Sequence, residues 1–230
     1  MSHRARTYMR RAALAALALA DSAYLCAAQP AAIRSLDITL EDGRYHVVAD
    51  TYLAAPPAAV YGVLLDYDDD AYGRISEVYK ESEYLPPDKD GAPLVFTRVE
   101  GCLLFFCRSM RRVERLETVE PKFIRATTLP ERSDFKYSVS RMMLEPEGAG
   151  TKVIYELDME PDFWLPPFVG PAFLKRVLMH GGTHAVERIE ALAQDLAARR
   201  ASESDVPTAS DALPTTAGGE LPTTAAAKAH

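Results

Sequence analysis

The chain of 230 residues has none of the short signatures that mark the commonest catalytic and cofactor sites. There is no glycine-rich phosphate loop, no GxSxG nucleophile elbow and no CxxC pair. Nucleotide binding by a phosphate loop, hydrolysis from a nucleophile elbow and thioredoxin-type exchange therefore lack the residues that would carry them. Basic charge is also short, with 26 Lys and Arg against 33 Asp and Glu and a formal net charge of -7. General nucleic-acid binding needs a basic footprint, so this balance argues against it. Long apolar runs are missing: the run at 12–20 stops at Asp21, well short of the about 20 residues a bilayer-spanning helix needs. Cysteine occurs only at Cys26, Cys102 and Cys107, and tryptophan only at Trp164.

The short apolar run has a context. Arg4, Arg6, Arg10 and Arg11 precede it, and the small residues Ala27 and Ala28 follow. That is the layout of a secretory signal peptide, expected to span 1–28 with cleavage after Ala28, which implies a secreted or periplasmic protein. Tyr24 and Leu25 ahead of Cys26 are too large for a lipoprotein site. Cleavage removes Cys26 and leaves Cys102 and Cys107, an even pair in an oxidising compartment and hence a disulfide candidate. Both lie in GCLLFFCRS at 101–109. In a continuous strand, five steps separate them by about 17 Å and turn them to opposite faces, whereas a disulfide needs alpha carbons within about 7 Å. Only a turn through 103–106 makes them neighbours, and the leader favours that geometry over the continuous strand. At the other end, 201–230 is rich in Ala, Thr, Pro and Ser, carries LPTTA twice and has no aromatic residue. Such a composition is expected to stay disordered, because it cannot bury enough apolar surface to offset chain ordering.

What remains, 32–200, is one domain of ordinary size. Residues 35–40 and 44–53 alternate around the turn Glu41, Asp42, Gly43 and predict a hairpin or bent strand. Pro56 and Pro57 open a helix over 58–65. Strand-like segments follow at 75–85, 94–100, 103–116, 123–129, 134–144 and 151–160, with short turns that favour an antiparallel sheet. On the last of them, Val153, Tyr155, Leu157 and Met159 share one face; on its neighbour, Phe135, Tyr137, Val139 and Met143 do. A long helix closes the domain, with Leu174, Leu178, Ala185, Ile189, Leu192 and Leu196 at helical spacing. Gly181 and Gly182 in its middle each cost about 1 kcal/mol relative to alanine. Their expected return is room for close packing or for a bound molecule, and a local kink is the alternative.

The segment ADTYLAAPPAAVYGVLLDYDDDAYGRISEV at 49–78, with LMHGGTHAVERIEALAQDL at 178–196, resembles the START-like helix-grip superfamily (SRPBCC; polyketide cyclase/dehydrase and lipid transport), and within it the coenzyme Q-binding branch. The resemblance spans nearly all of 32–200 and rests on pattern, with no catalytic signature. It implies an α+β helix-grip fold, a curved antiparallel sheet wrapped around a long C-terminal helix with an apolar cavity between them. Members bind lipids, sterols, quinones or polyketides, and some cyclise or dehydrate polyketides. Carried onto this chain, the cavity positions are Phe135, Tyr137, Val139, Met143, Val153, Tyr155, Leu157 and Met159 from the sheet. Phe173, Leu174, Val177, Leu178 and Ala185 are their counterparts on the helix. Pocket wall and packed core share one periodicity, so each of these positions is equally readable as core. Phe163, Trp164 and Phe168 of FWLPPF would stand at the entrance, as a lid or transient membrane contact, or would simply seal the end of the core.

Polar candidates are sparse. His180 and His184 stand four apart on one helical face, but Gly181 occupies the place where a zinc protease needs glutamate. They read as solvated or capping residues, and no metal or other cofactor is expected. The run Asp66, Asp68, Asp69, Asp70 reads as a polar helix end. Arg98, Glu100, Arg108 and Arg112 are expected to face outward or toward the cavity mouth, since a buried charge without a partner is costly; the alternative is that one arginine enters the cavity and pairs with an internal glutamate or binds a ligand carbonyl. No residue is assigned a catalytic role. The leading expectation is a monomeric, non-enzymatic carrier of a lipid, quinone or other apolar small molecule. A cyclase or dehydratase acting on an apolar or aromatic precursor and an assembly protein with a collapsed cavity are the alternatives.

Overall fold

The computed structural model describes residues 30–103, 106–163 and 170–204, without the side chains of Leu103, Phe106, Phe173 and Val177. The proposed signal peptide, the tail from 205 onward, and Trp164 and Phe168 lie outside the described residues.

Eight strands form one sheet: β1 (Ala32–Glu41), β2 (Arg44–Leu53), β3 (Tyr79–Leu85), β4 (Leu94–Leu103), β5 (Phe106–Val119), β6 (Phe123–Thr128), β7 (Phe135–Glu147) and β8 (Gly150–Pro161). Their order is β1-β2-β8-β7-β6-β5-β4-β3, with every pairing antiparallel. The hairpin between β1 and β2 turns through Asp42 and Gly43, both with positive φ (49° and 81°). A two-residue turn of this kind matches the twist of its strands and needs residues that tolerate that conformation, hence Asp-Gly. Between β2 and β3 the chain forms two short helices, α1 (Pro57–Leu64) and α2 (Tyr72–Ile75). Pro56 is extended and Pro57 sits in the first turn, where its missing N–H costs nothing. The fold is thus the α+β helix-grip arrangement, an antiparallel sheet packed against a long C-terminal helix, α3 (Pro171–Ser204). That helix runs four residues past the boundary expected at Arg200.

The N-terminal half of α3 lies along β1, where Gly182 meets Ile33 and Lys175 pairs with Asp37, and its C-terminal half packs into the main core. Ala193 is completely buried, and Ile189, Leu192 and Leu196 pack on a core built around Val60, Ile124 and Val95. Polar contacts tie the same half to the bend after β2: Glu190 accepts from the Ala54 N–H, Gln194 Nε2 donates to the Ala54 carbonyl at 3.0 Å, and Arg200 donates to the Ala58 carbonyl at 3.2 Å. Toward its start, Leu178 and Met179 remain 36 % exposed.

The convex face of the sheet is a mosaic of ion pairs. Asp158 accepts from Arg141 at 3.3 Å and lies 2.6 Å from His46 Nδ1. Burial works to raise the Asp158 pKa, but His46 and Arg141 outweigh it and hold the carboxyl below its ordinary value. A carboxyl depressed in the folded state stabilises the fold above its unfolded pKa, about 4, and that stability is lost as pH falls through the lower folded value. Asp158→Asn is therefore expected to match the parent in acid and fall below it above about pH 4. Solvent screening keeps the difference to about 0.5 kcal/mol, and urea denaturation across pH 2–7 measures it.

Candidate ligand-binding site

A pocket of about 420 Å³ lies between the concave face of the sheet and α3. Successive residues of a strand alternate faces and directly paired residues share one, so the register assigns its walls. Val47, Ala49, Thr51 and Leu53 come from β2, Val153 and Tyr155 from β8, and Ser140 and Met142 from β7. Tyr67, Tyr72 and Tyr79 form the side nearest α1, α2 and β3, and Leu178, Ala185, Val186 and Ile189 of α3 form the roof. Val78 and Leu178 line the pocket yet remain 41 % and 36 % exposed, which marks where it meets solvent.

The two helix glycines serve this roof differently. A Cβ at Gly182 would come within 3.0 Å of Ile33 Cδ1 on β1, so close packing accounts for that glycine. A Cβ at Gly181 would meet nothing within 4 Å, and Gly181 lines the pocket. Neither packing nor backbone strain requires a glycine at 181; its effect is open volume.

Arg112 and Glu114 are the charged side chains on the wall among the described residues. They lie on β5 two residues apart, so both point inward, and Leu116 of the same parity is core. Their closest approach is 3.5 Å, with side chains 17 % and 3 % exposed. Glu114 also accepts from Thr128 Oγ1 at 3.4 Å. Burial works against the Arg112 charge, but the Glu114 carboxylate and the nearby tyrosine oxygens outweigh it and raise its pKa above the ordinary value. Burial pushes the Tyr67, Tyr72 and Tyr155 phenols up, so at neutral pH they are neutral hydrogen-bond donors and not bases. Tyr72 donates to the Leu64 carbonyl at 2.5 Å and stacks on Tyr67 with ring centroids 4.3 Å apart.

This corrects several sequence expectations. Val153, Tyr155, Leu178 and Ala185 line the pocket. Tyr137, Val139 and Met143 do not: they pair with Glu160, Asp158 and Ile154 on the convex face, where Arg44 stacks over Tyr137 at 4.2 Å and Met143 is 37 % exposed. The cause is an irregularity between Phe135 and Tyr137, because one extra residue exchanges the faces of everything beyond it. The even-numbered residues of β7 therefore face inward. Phe135 is buried beside Phe163, at 6.2 Å between ring centroids, outside the pocket lining. Leu157 packs in a separate apolar cluster with Leu36, Val47 and Ala49. Met159 lies across from Ser138, and neither Met159 nor Leu174 lines the pocket. The side chains of Phe173 and Val177 lie outside the described residues. Arg98 and Glu100 face outward as expected, Arg98 bonding both Glu81 and Glu100. Arg108 stacks over Phe163 at 4.2 Å, near the proposed entrance. Arg112 takes the inward alternative to the favoured outward placement, with Glu114 as its partner; Tyr67, Tyr72 and Tyr79 were not anticipated, and the parity of 112, 114 and 116 was the available signal for the pair.

His180 and His184 touch edge to face at 5.7 Å between ring centroids and are exposed away from the pocket lining. Among the described residues no group of three or more His, Cys, Asp or Glu side chains could hold a metal ion. Cys102 and Cys107 pair directly across the β4–β5 hairpin and are joined by a disulfide, with alpha carbons 3.9 Å apart. The chain thus takes the turned geometry. Replacing both by Ser is expected to lower stability by about 2 kcal/mol through the entropy of the short loop. Thiol titration of protein lacking residues 1–28, and so lacking Cys26, should find no free thiol before reduction and two after it.

The sequence model of the family described as polyketide cyclase / dehydrase and lipid transport matches residues 44–199. The chain belongs to this family. Its description covers enzymes as well as lipid carriers. Among solved structures, a START superfamily protein from Mycobacterium smegmatis is similar, with a TM-score of 0.50 and 21% identity, covering 66% of this chain and 98% of that one. The Zhui aromatase/cyclase from Streptomyces sp. R1128 is similar at a TM-score of 0.50 and 17% identity, covering 70% and 98%. At these identities the likeness concerns the fold alone. No curated protein matches the chain.

Proposed function

We propose that this family member binds an apolar small molecule, a lipid, quinone or polyketide, in the pocket between the sheet and α3. The observation that carries the reading is the space of about 420 Å³ under the roof of α3, within the range that takes a small organic ligand. The arginine-bearing leader supports placing this activity outside the cytoplasm, with ligand exchange at a membrane as a transient step.

Binding is shared by two uses of the pocket, and one has specific side chains behind it. Arg112 and Glu114 stand together on the wall of a space that is otherwise lined by apolar and neutral polar groups. A buried guanidinium polarises a carbonyl oxygen, and a neighbouring carboxylate is placed to take a proton from the adjacent carbon. Cyclase or dehydratase chemistry on a keto-bearing precursor has this pair in its support, and the Streptomyces relative is itself named an aromatase/cyclase. Passive carriage rests on the apolar lining alone. Native mass spectrometry and solvent extraction of protein purified from the exported fraction separate the two. A bound molecule released unchanged supports carriage, a converted product supports catalysis, and a fully empty pocket after purification from a lipid-rich source would sink both.

A further inference from the structure

The histidine pair of α3 lies on the solvent side of the helix and takes no part in the pocket. His180 and His184 are exposed, with ring centroids 5.7 Å apart. Positions four apart share one helical face, with Cβ atoms about 6 Å from each other. Two imidazoles on one cation, each nitrogen about 2.1 Å from it, hold their ring centres about 5 Å apart. The pair therefore needs to close by less than about 1 Å, within reach of exposed side chains that change rotamer freely.

Glu187 is the second feature of this face. Its carboxylate lies 3.4 Å from His184 Nδ1. When Glu187 accepts the hydrogen bond from Nδ1–H, the lone pair of His184 is fixed on Nε2, which is how a carboxylate orients a metal-ligating histidine. Glu187 is then a positioning group and not a ligand, consistent with there being no three-ligand cluster among the described residues. Its negative charge favours a bound cation. Arg176, one turn before His180, is exposed to solvent, which screens its opposing charge.

We propose that His180 and His184 form a two-point chelate for a divalent transition-metal cation, with water completing the coordination and Glu187 positioning His184. Imidazole nitrogen suits Cu²⁺, Ni²⁺ and Zn²⁺, whereas Mg²⁺ and Ca²⁺ take oxygen ligands, and Cu²⁺ binds tightest of the series. Gly181 and Gly182 lie inside the chelated turn, where each weakens the helix, and with Leu178 and Ala185 they line the roof of the pocket. A metal joining 180 to 184 favours the helical form of this turn, because the unfolded turn does not hold the two rings together. It braces the roof from outside without occupying the pocket.

The test is calorimetric titration of the full-length protein with Cu²⁺, Zn²⁺ and Mg²⁺, carrying Cys26→Ser to remove the thiol outside the disulfide. The electron paramagnetic resonance spectrum of the Cu²⁺ form reports nitrogen ligation. A tight Cu²⁺ site, weaker Zn²⁺ and no Mg²⁺ are expected. His180→Gln and His184→Gln should each weaken Cu²⁺ by about 100-fold or more, beyond what outer-shell changes cost. Glu187→Ala should cost about tenfold, and Glu187→Gln, which keeps an acceptor, less than about threefold. His3, His46 and His230 are present in every variant, so these losses report the pair alone. Amide hydrogen exchange across 178–186 should slow by about tenfold with saturating Cu²⁺ in the parent and not in His180→Gln. A tight Cu²⁺ site that survives both histidine substitutions, or Mg²⁺ bound as tightly as Cu²⁺, overturns the chelate. Equal Cu²⁺ affinity in Glu187→Ala and the parent overturns the positioning role, and unchanged hydrogen exchange in the Cu²⁺ form overturns the bracing of the roof.

Discussion

Arg112→Met is expected to destabilise the fold by about 3–5 kcal/mol, because it leaves the Glu114 carboxylate buried without its counter-charge. Glu114 is 2 % exposed, and among the described residues Thr128 Oγ1 at 3.4 Å is the remaining donor that reaches it. One long neutral hydrogen bond does not offset the lost hydration of a carboxylate. The diagnostic comparison is with Arg112→Met/Glu114→Gln. That pair removes both charges and retains an acceptor for Thr128, so most of the loss should be recovered, within about 1–2 kcal/mol of the parent. Urea denaturation of the parent, the two single variants and the double variant gives the coupling energy directly. Arg112→Met as stable as the parent would mean that water reaches Glu114 freely and that its burial carries no cost.

Gly181→Leu is expected to act in opposite directions on stability and binding. Leucine is better than glycine within a helix by about 0.5–1 kcal/mol, and no atom lies within 4 Å of where its Cβ would be. The helix should therefore gain stability. The added side chain grows beside the opening marked by Leu178 and Val78, in space the ligand needs, and should weaken an apolar probe of the pocket's full size by about tenfold. A short probe should be affected far less. Thermal unfolding and a size series of probes measure both halves. If large and small probes lose affinity equally, Gly181 acts through the helix and not through volume. Gly182→Leu is the contrast: its Cβ would press on Ile33 at 3.0 Å, so overpacking should offset the helical gain.

Much of the fold was legible because its signals are local. The alternation of Val153 and Tyr155 identified β8 and its inward face, and the i, i+3, i+4 spacing of Ile189, Leu192 and Leu196 identified the buried face of α3. The Asp-Gly turn and the paired prolines set the β1–β2 hairpin and the start of α1. The strand β7 shows where such reading ends. Its alternation is as regular as that of β8, but the register slip after Phe135 reverses the faces of Tyr137, Val139 and Met143. A bulge is decided by how two strands fit, and one strand's residues do not record it.

The pocket's polar end escaped for a related reason. Arg112 and Glu114 look like ordinary surface charges in a strand rich in both, and burying them is tolerable only because each supplies the other's counter-charge. Tyr67 and Tyr72 come from the segment between β2 and β3, Tyr79 from the first position of β3, and they reach the site only when that segment folds back beside the sheet. Composition and local periodicity by themselves determined the strand and helix inventory, the acidic balance and the family resemblance, since each depends on residues near one another in the chain. Which faces look inward, which cysteine geometry is adopted and which two charges meet inside the pocket were decided only in the tertiary structure, where register and long-range packing bring separate segments to one place.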